Sequence, residues 1–212
     1  MRIVLLTAAA TLAFVGTASA QDRYVSFSAG VSGKSDYDYA IPQNKSRVTS
    51  DLDSAASISA AYGQKFENFR GEIAMSNRKM DGKTTVSVVY PGFSSTNTGG
   101  KSEAGILALD FNGYYDFPVE GKFKPYVGAG IGIANVKLKD VYLDDTTSAL
   151  HLQAMAGASF EVTEKVAVFA EVRAERVGTI TVETREVFSG RKSESDVSFS
   201  NVGGQIGIRV SF

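Results

Sequence analysis

Apolar and polar residues alternate along most of the chain with a period of two, which is the spacing of β-strands whose two faces meet different surroundings. The pattern is clear in eight segments, and the apolar phase of each contains no Asp, Glu, Lys or Arg. The chain is therefore predicted to be all-β. The eight segments are RYVSFSAGVSGK, SAASISAAYG, FRGEIAMS, LALDFNGYYDF, YVGAGIGIA, LHLQAMAGASF, VAVFAEVRAE and GGQIGIRVSF.

The connections between these segments alternate between short and long. The short ones contain QKFEN, PVEGKFK and EVTEK. The long ones are polar and are expected to be loops, at roughly Ser35–Asp53, Asn77–Glu103, Lys137–Ser148 and Val177–Asp196. This alternation is typical of an eight-stranded antiparallel up-and-down transmembrane β-barrel, which has short turns on the periplasmic side and long loops outside. A soluble sandwich rarely sorts its connections by length in this way.

The last alternating segment continues to Phe212. A closed barrel leaves no strand edge unpaired, because no water is available in the membrane to satisfy the backbone. The last strand is therefore expected to pair with the first.

The polar phase of the segments contains charged residues that a barrel would direct into its lumen. Eight strands enclose a space just wide enough for side chains to fill. A buried charge needs a partner, so we expect paired charges in a filled lumen rather than an aqueous pore. An inward stripe of glycines (Gly128, Gly130 and Gly132) is expected to make room for long neighbouring side chains. The predicted lumen charges are Arg70, Glu72, Asp110, Glu171, Arg173, Glu175 and Arg209.

The composition argues against several classes of function. The 22 basic and 23 acidic residues lack the basic excess that is typical of nucleic-acid binders. The chain contains no cysteine and one histidine, so it has too few of the usual ligands for an ordinary zinc site. The glycine stripe has period two and no helix after it, so it does not match a dinucleotide-binding motif. The acidic segment at Asp140, Asp144 and Asp145 lacks the spacing of a calcium loop. No metal ion or cofactor is predicted.

The single histidine, His151, is the residue that keeps an enzymatic alternative open. Ser159 lies eight residues further on the same predicted strand, about 26 Å away, so these two side chains cannot touch. A serine or carboxylate from a neighbouring strand could still complete a catalytic group with His151. We predict no catalytic residue, and an enzyme that modifies lipid A is the third-ranked hypothesis.

The first twenty residues, MRIVLLTAAATLAFVGTASA, are predicted to be a signal peptide. Arg2 precedes an apolar run that ends at Val15, and Ala18-Ser19-Ala20 provides small residues for cleavage. The apolar run is shorter than the ~20 residues of a membrane-spanning helix. Residues 1–20 are thus assigned to the signal peptide and residues 21–212 to the barrel domain, which implies export.

Two stretches resemble a known family. An alternating final strand that ends in Phe212 resembles the assembly signal of bacterial outer-membrane barrels. FNGYYDFPVEGKFKPYVGAGIGIANVKL, at residues 111–138, resembles the small opacity-type, porin-like outer-membrane β-barrels of Gram-negative bacteria. The resemblance implies an outer-membrane location and recognition by the outer-membrane insertion machinery. The tryptophan expected near Tyr24 is missing, so the aromatic belt must consist of Tyr and Phe.

Together these observations predict a monomeric outer-membrane protein that supports membrane integrity and presents loops outside. The alternative hypothesis is a narrow, porin-like channel for small solutes. The expected partners are outer-membrane lipid and lipopolysaccharide, whose phosphates suit Arg and Lys. The basic residues expected in the loops at that level are Lys34, Lys45, Arg47, Arg78, Lys79, Lys83, Lys101, Arg185, Arg191 and Lys192.

Overall fold

The computed structural model of the protein describes residues 23–41, 46–90, 93–139, 144–185 and 192–212. The predicted signal peptide lies outside the described residues, as do Lys45, Asp140 and Arg191. Within the described ranges, no helix has the length and apolar character needed to cross a bilayer.

The described residues form ten β-strands in one antiparallel sheet. Eight of them form a closed ring in the order β1, β4, β5, β6, β7, β8, β9, β10, and β10 pairs again with β1. The remaining two, β2 and β3, form a hairpin that extends the sheet beside β5. The predicted eight-stranded antiparallel barrel is confirmed. The strands are β1 (Arg23–Ser32), β2 (Ser35–Ile41), β3 (Ser46–Leu52), β4 (Ala55–Phe66), β5 (Phe69–Tyr90), β6 (Phe93–Asp116), β7 (Phe123–Lys139), β8 (Asp144–Glu161), β9 (Val166–Arg185) and β10 (Lys192–Ser211).

The first and last strands of the ring pair along their whole shared length. Their register runs from Tyr24 opposite Ser211 to Ser32 opposite Gly203. The backbone N–H of Phe212 adds a further hydrogen bond, to the carbonyl oxygen of Arg23 at 2.9 Å. The expected pairing of the last strand with the first is confirmed, and it leaves neither strand with an open edge inside the membrane.

Three short turns lie at one rim of the ring, together with the start of β1 and the end of β10. They connect β4 to β5 at residues 67–68, β6 to β7 at residues 117–122, and β8 to β9 at residues 162–165. The three predicted short connections lie at these turns. We assign this rim to the periplasmic side, where barrels of this type have their short turns.

The described residues of the four connections that the sequence assigns to long loops form β-strands along most of their length, so the expectation of loops was wrong for them. The β5–β6 ladder continues to Tyr90 opposite Phe93. The β7–β8 ladder continues to Lys139 opposite Asp144, and the β9–β10 ladder to Arg185 opposite Lys192. The first long connection contains the β2–β3 hairpin. Continued ladders satisfy backbone N–H and C=O groups that a loop would leave to water.

The polarity of the two faces reverses along these extended strands. In the membrane part, the outward face is apolar and most inward side chains are polar. Further out, inward Met80, Ile106 and Leu138 are buried, whereas outward Lys79 and Lys137 are exposed. This second arrangement is that of a sheet with one face in water and one in a core. Because of this reversal, a single apolar phase along each strand does not predict the extensions.

The outer surface of the ring is an apolar belt with aromatic rings near the periplasmic rim. Large apolar side chains such as Ile58, Ile133 and Ile206 point outward and are 60–69% exposed. Ring pairs at the periplasmic end join Tyr62 to Phe212 (6.4 Å between centroids), Phe69 to Tyr115 (5.1 Å) and Tyr115 to Phe117 (5.3 Å). Belts of this kind face lipid, with aromatic girdles at the headgroups.

Candidate functional site

The lumen of the ring brings together the charged residues that the sequence singles out. All seven of the predicted lumen charges lie on inward positions of β5, β6, β9 and β10. Arg70, Glu72, Asp110, Glu171 and Arg173 are buried, and Glu175 and Arg209 are partly exposed. The partners of these charges decide what the lumen can do.

Two arginines near the periplasmic rim lie between aromatic rings. The Nε of Arg70 donates to both carboxylate oxygens of Asp116, at 2.9 and 2.8 Å. Its guanidinium carbon lies 4.4 Å from the ring centre of Tyr114 and 4.8 Å from that of Tyr126. A cation over an aromatic face is stabilised by the ring quadrupole, most strongly away from water. This end of the lumen is therefore filled.

Arg209 provides the second cation of this layer. Its guanidinium carbon lies 5.0 Å from the ring centre of Tyr24 and 5.4 Å from that of Phe169. No ion pair to a carboxylate connects Arg209 to another described residue. The expectation that every lumen charge pairs with an opposite charge was thus too narrow, because aromatic faces take the place of a carboxylate here.

Glu72 is a carboxylate that is held by neutral donors. Its two oxygens accept hydrogen bonds from Tyr24 Oη at 3.0 Å, Asn112 Nδ2 at 3.1 Å and Tyr114 Oη at 2.9 Å. Gln153 Nε2 in turn donates to Asn112 Oδ1 at 2.6 Å. These four partners come from β1, β6 and β8, so the network ties distant strands across the lumen. Three donors offset much of the cost of burying a carboxylate.

The next layer outward contains two ion pairs. Arg173 donates from Nε (3.1 Å) and Nη2 (2.8 Å) to Glu171 Oε1, which also accepts from Gln205 Nε2 at 2.9 Å. Arg78 forms an ion pair with Glu175. The prediction that Arg78 lies in a loop was wrong, since Arg78 lies on the inward face of β5 and is buried.

His151 and Asp110 form a buried pair in which His151 Nδ1 lies 2.7 Å from Asp110 Oδ1. Each of the two side chains is 1% exposed. Neither His151 Nε2 nor the second carboxylate oxygen of Asp110 has a hydrogen-bond partner among the described residues. A nucleophile activated by this histidine would have to hydrogen-bond to Nε2. Ser159 does not do so, and its hydroxyl donates to the carbonyl of Lys124 near the periplasmic rim.

The glycine stripe of β7 makes the room that the sequence predicts. A Cβ atom at Gly128 would overlap the ring of Tyr114, and one at Gly130 would overlap the side chains of Asn112 and Gln153. A Cβ at Gly132 would overlap Asp110. The expectation is confirmed, since the side chains that surround Glu72 and His151 occupy the space that these glycines leave.

An apolar cluster covers the outer end of this polar network. Its members are almost fully buried, with Ala108, Val136 and Leu138 at 0% exposure. Alternation in the sequence does not reveal this cluster, because its members lie where the inward phase changes from polar to apolar. The cluster contains Leu52, Ala55, Met80, Ala104, Ile106, Ala108, Ala134, Val136, Leu138, Ala149 and Val177, with Val86 packed against it.

Two small cavities remain in the polar part of the lumen. One of about 30 Å³ lies beside Ser59, Arg78, Arg173 and Gln205. The other, of about 140 Å³, lies at the periplasmic rim and is lined by charged residues that include Lys65, Arg70, Asp116 and Arg209. No group of three or more His, Asp or Glu side chains within the described ranges could hold a metal ion.

The remaining predicted residues whose side chains are described lie on the outside of the protein. Lys79, Lys83 and Lys101 are outward and exposed on the β5–β6 hairpin, and Lys34 is exposed between β1 and β2. The side chains of Arg47, Arg185 and Lys192 are outside the described part of the structure. Phe212 lies in the aromatic girdle, and its role in assembly stays a prediction.

Comparison with known proteins agrees with this geometry. The family model of the outer membrane protein beta-barrel domain matches residues 4–209. Outer membrane protein PagN of Salmonella typhimurium is 29% identical over 92 residues, which cover 39% of this chain and 38% of PagN, so the chain matches well under half the length of that relative.

Two solved structures have the same fold. The outer membrane protein OprG from Pseudomonas aeruginosa matches with a TM-score of 0.60 and 12% identity, over 92% of this chain and 97% of OprG. Neisserial surface protein A (NspA) matches with a TM-score of 0.52 and 17% identity, over 90% of this chain and 97% of NspA. At these identities the likeness is one of fold.

Proposed function

Since the chain belongs to the outer membrane protein beta-barrel family, we propose that it serves the outer membrane as a closed, monomeric barrel that presents β-hairpins at the cell surface. The observation that carries this proposal is the filled lumen. Glu72, Glu171 and Arg70 are each held by two or more partners from the surrounding wall, and the apolar cluster covers the outer end.

A filled lumen argues against free passage of water and ions. Moving an ion through the layer of Tyr24, Arg70 and Tyr126 would require those side chains to separate. The ion would then meet the apolar cluster, where it would have no polar partner, and the burial of an unpaired charge costs several kcal/mol. A barrel of this kind has a structural role in the membrane and does not transport solutes.

The outer hairpins provide the surface through which the protein can contact partners outside the cell. The β5–β6 hairpin is the longest, with 22 residues in β5 and 24 in β6. Ser95, Thr96, Asn97 and Thr98 near its tip are exposed. Hairpins that are fixed by a continuous ladder present such polar side chains in a constant arrangement, which suits contact with a partner or with lipopolysaccharide.

Conduction of ions tests the proposal. In planar lipid bilayers, we expect the purified protein to give no stepwise current under conditions in which a general porin added to the same bilayer conducts. Reproducible single-channel steps that belong to this protein would contradict the closed barrel and favour the alternative, a narrow channel.

One observation favours that alternative, the cavity of about 140 Å³ at the periplasmic rim. It could be the entrance of a channel if the apolar cluster moved. In that case, exchanging Lys65 for Glu at the entrance should change the ion selectivity of any current. Under the closed-barrel proposal, the same exchange leaves the bilayer silent.

We propose no enzymatic activity, and the surroundings of the His151–Asp110 pair support this. The pair is enclosed by the wall and by the apolar cluster, so a lipid in the outer leaflet has no path to His151 Nε2. Incubation of the purified protein with lipid A should leave its mass unchanged. A change of mass that the His151→Gln variant does not produce would contradict this part of the proposal.

A further inference from the structure

A row of three paired residues crosses the outward face of the barrel just above the apolar belt. Lys79 on β5 lies opposite Gly105 on β6, and Gly105 lies opposite Lys137 on β7. Neighbouring strands are about 4.8 Å apart, so the two lysine Cα atoms are roughly 10 Å apart. Both lysines are exposed, and the residue between them has no side chain.

The position of this row relative to the lipid-facing belt follows from the register. The row Met75, Leu109 and Ile133 is apolar and more than half exposed. The next row outward is Asn77, Leu107 and Asn135, in which the apolar character ends. The row of Lys79 and Lys137 follows directly. Residues at this step from the hydrocarbon region lie at the level of the lipid headgroups.

The two lysines have no ion-pair partner among the described residues. Their strands are packed from the inside, because the inward neighbours Met80, Ile106 and Val136 belong to the buried apolar cluster. The next row outward on the same face contains the exposed carboxylates of Asp81 and Glu103, beside Lys139. An anion is therefore bound by the two ammonium groups only if it reaches them from the side of the lipid, where the backbone at Gly105 is open.

We infer that Lys79 and Lys137, with Gly105 between them, form a site for a phosphate of an outer-leaflet glycolipid headgroup. The ammonium groups bind the phosphate from two sides, and the gap at Gly105 admits it close to the wall. The acyl chains of the same lipid lie against Leu107, Leu109 and Ile133 directly below. This deepens the proposed contact with lipopolysaccharide, on which it rests, by naming the chemical group and the residues that bind it.

The opposite wall provides a natural comparison. β9 lies four strands from β5 in the ring of eight. Among its described side chains, β9 carries one outward cation, Arg176, at the end of its lipid-facing stretch. The residues opposite it on both sides, Leu152 and Ser200, are uncharged. A single arginine there attracts anionic lipid in general, but it has no second cation two strands away with a glycine between them, as Lys79 and Lys137 have.

The test measures how the protein in a neutral detergent binds lipid A that carries both phosphates, compared with lipid A from which the phosphates have been removed. The key variants are Gly105→Glu and its uncharged match Gly105→Gln. Both fit, since a Cβ at Gly105 would meet only the Cβ of Lys137, at 3.9 Å. We expect Gly105→Glu to weaken binding of the phosphorylated lipid by roughly tenfold relative to Gly105→Gln, as expected for the loss of one to two lysine contacts.

The double variant Lys79→Gln/Lys137→Gln should lose affinity to a similar extent, whereas Arg176→Gln should bind as the unchanged protein does. None of these variants should change binding of the dephosphorylated lipid. The preference for phosphate should also decrease as salt is added, because exposed charges are screened.

Three results would overturn the inference. The first is equal binding by Gly105→Glu and Gly105→Gln. The second is a loss in Arg176→Gln as large as in the double variant, which would indicate general attraction. The third is displacement of the lipid by inorganic phosphate at equal concentration, which would indicate a site for free phosphate. Bilayer currents of the same variants test the closed barrel separately, so that either proposal can fail alone.

Discussion

At the scale of the residue, the buried charges of this barrel depend on more than one kind of partner. Glu171 is held by an arginine and an amide, Glu72 by two phenols and an amide, and Arg209 by aromatic faces. A buried ion whose partner is removed is strongly destabilised, because the cost of desolvation remains after the attraction is lost. The layers of the lumen should therefore differ in how they respond to a single substitution.

Replacing Arg173 with Leu should lower the free energy of unfolding by about 1–3 kcal/mol. Glu171 would lose both hydrogen bonds from Arg173 and keep the one from Gln205 Nε2. Denaturant titration in lipid vesicles measures the change. The matched control is Arg176→Leu on the same strand, which removes an exposed outward arginine and should cost less than about 0.5 kcal/mol. Equal losses for the two variants would show that the lumen ion pair does not stabilise the barrel.

The sequence predicted the charged members of the lumen better than their partners. Arg70, Glu72, Glu171 and Arg173 follow from period-two alternation, since they occupy the phase opposite to an apolar face. The partners come from strands far apart in the chain, as with Tyr24 and Glu72, which are 48 residues apart. The pairing of such residues depends on the registers between several strands. Alternation within one strand carries no information about those registers.

At the scale of the element, the strands of the outer hairpins have two different environments along one ladder. The alternation of β6 predicts the strand from Leu107 to Phe117, and the structure extends it back to Phe93. Outward residues are apolar within the membrane and polar beyond it. The polarity expected at outward and inward positions of the strand therefore reverses near Gly105. The eight strands could be predicted from the sequence, but the points at which they end could not.

The outer part of the β5–β6 hairpin should be dispensable for folding down to Val86. Replacing residues 87–96 with Asn-Gly would join Val86 to Asn97, which already face each other, through a two-residue turn of a type favoured in hairpins. Thr84 would keep its hydrogen bond to Ser50, and Val86 its contact with the apolar cluster. We expect the free energy of unfolding to change by less than about 1 kcal/mol.

A deeper replacement provides the control for this experiment. The shorter variant removes only Ser87 and Val88 from the segment of β5 that pairs with β3. Exchanging residues 81–103 for Asn-Gly removes that whole segment, and with it the cover of Leu52, which is 1% exposed. Exposure of one such side chain costs about 1.5–3 kcal/mol. The deeper variant should therefore be clearly less stable than the shorter one. Equal stability would mean that the apolar cluster contributes nothing measurable to the barrel.

At the scale of the whole molecule, the wall has three zones along the barrel axis. The periplasmic rim has aromatic rings outside and the arginine layer inside. The middle zone has apolar side chains outside and the polar network inside. The outer zone has charged side chains outside and the apolar cluster inside. The lumen is therefore closed at two levels, by the arginine layer at the periplasmic rim and by the apolar cluster towards the outer end.

Tryptophan scanning can locate these zones directly, because the chain contains no tryptophan of its own. Leu109→Trp places an indole in the apolar belt, and Lys83→Trp places one on the same outward face of the β5–β6 hairpin in the outer zone. In vesicles, we expect brominated lipid chains to quench the fluorescence of Leu109→Trp, and aqueous iodide to quench that of Lys83→Trp. Since both side chains point outward, the difference reports height along the barrel and not the face of the strand. Quenching of both indoles by the lipid would place the outer zone inside the membrane and contradict the reversal of polarity on which the placement of Lys79 and Lys137 depends.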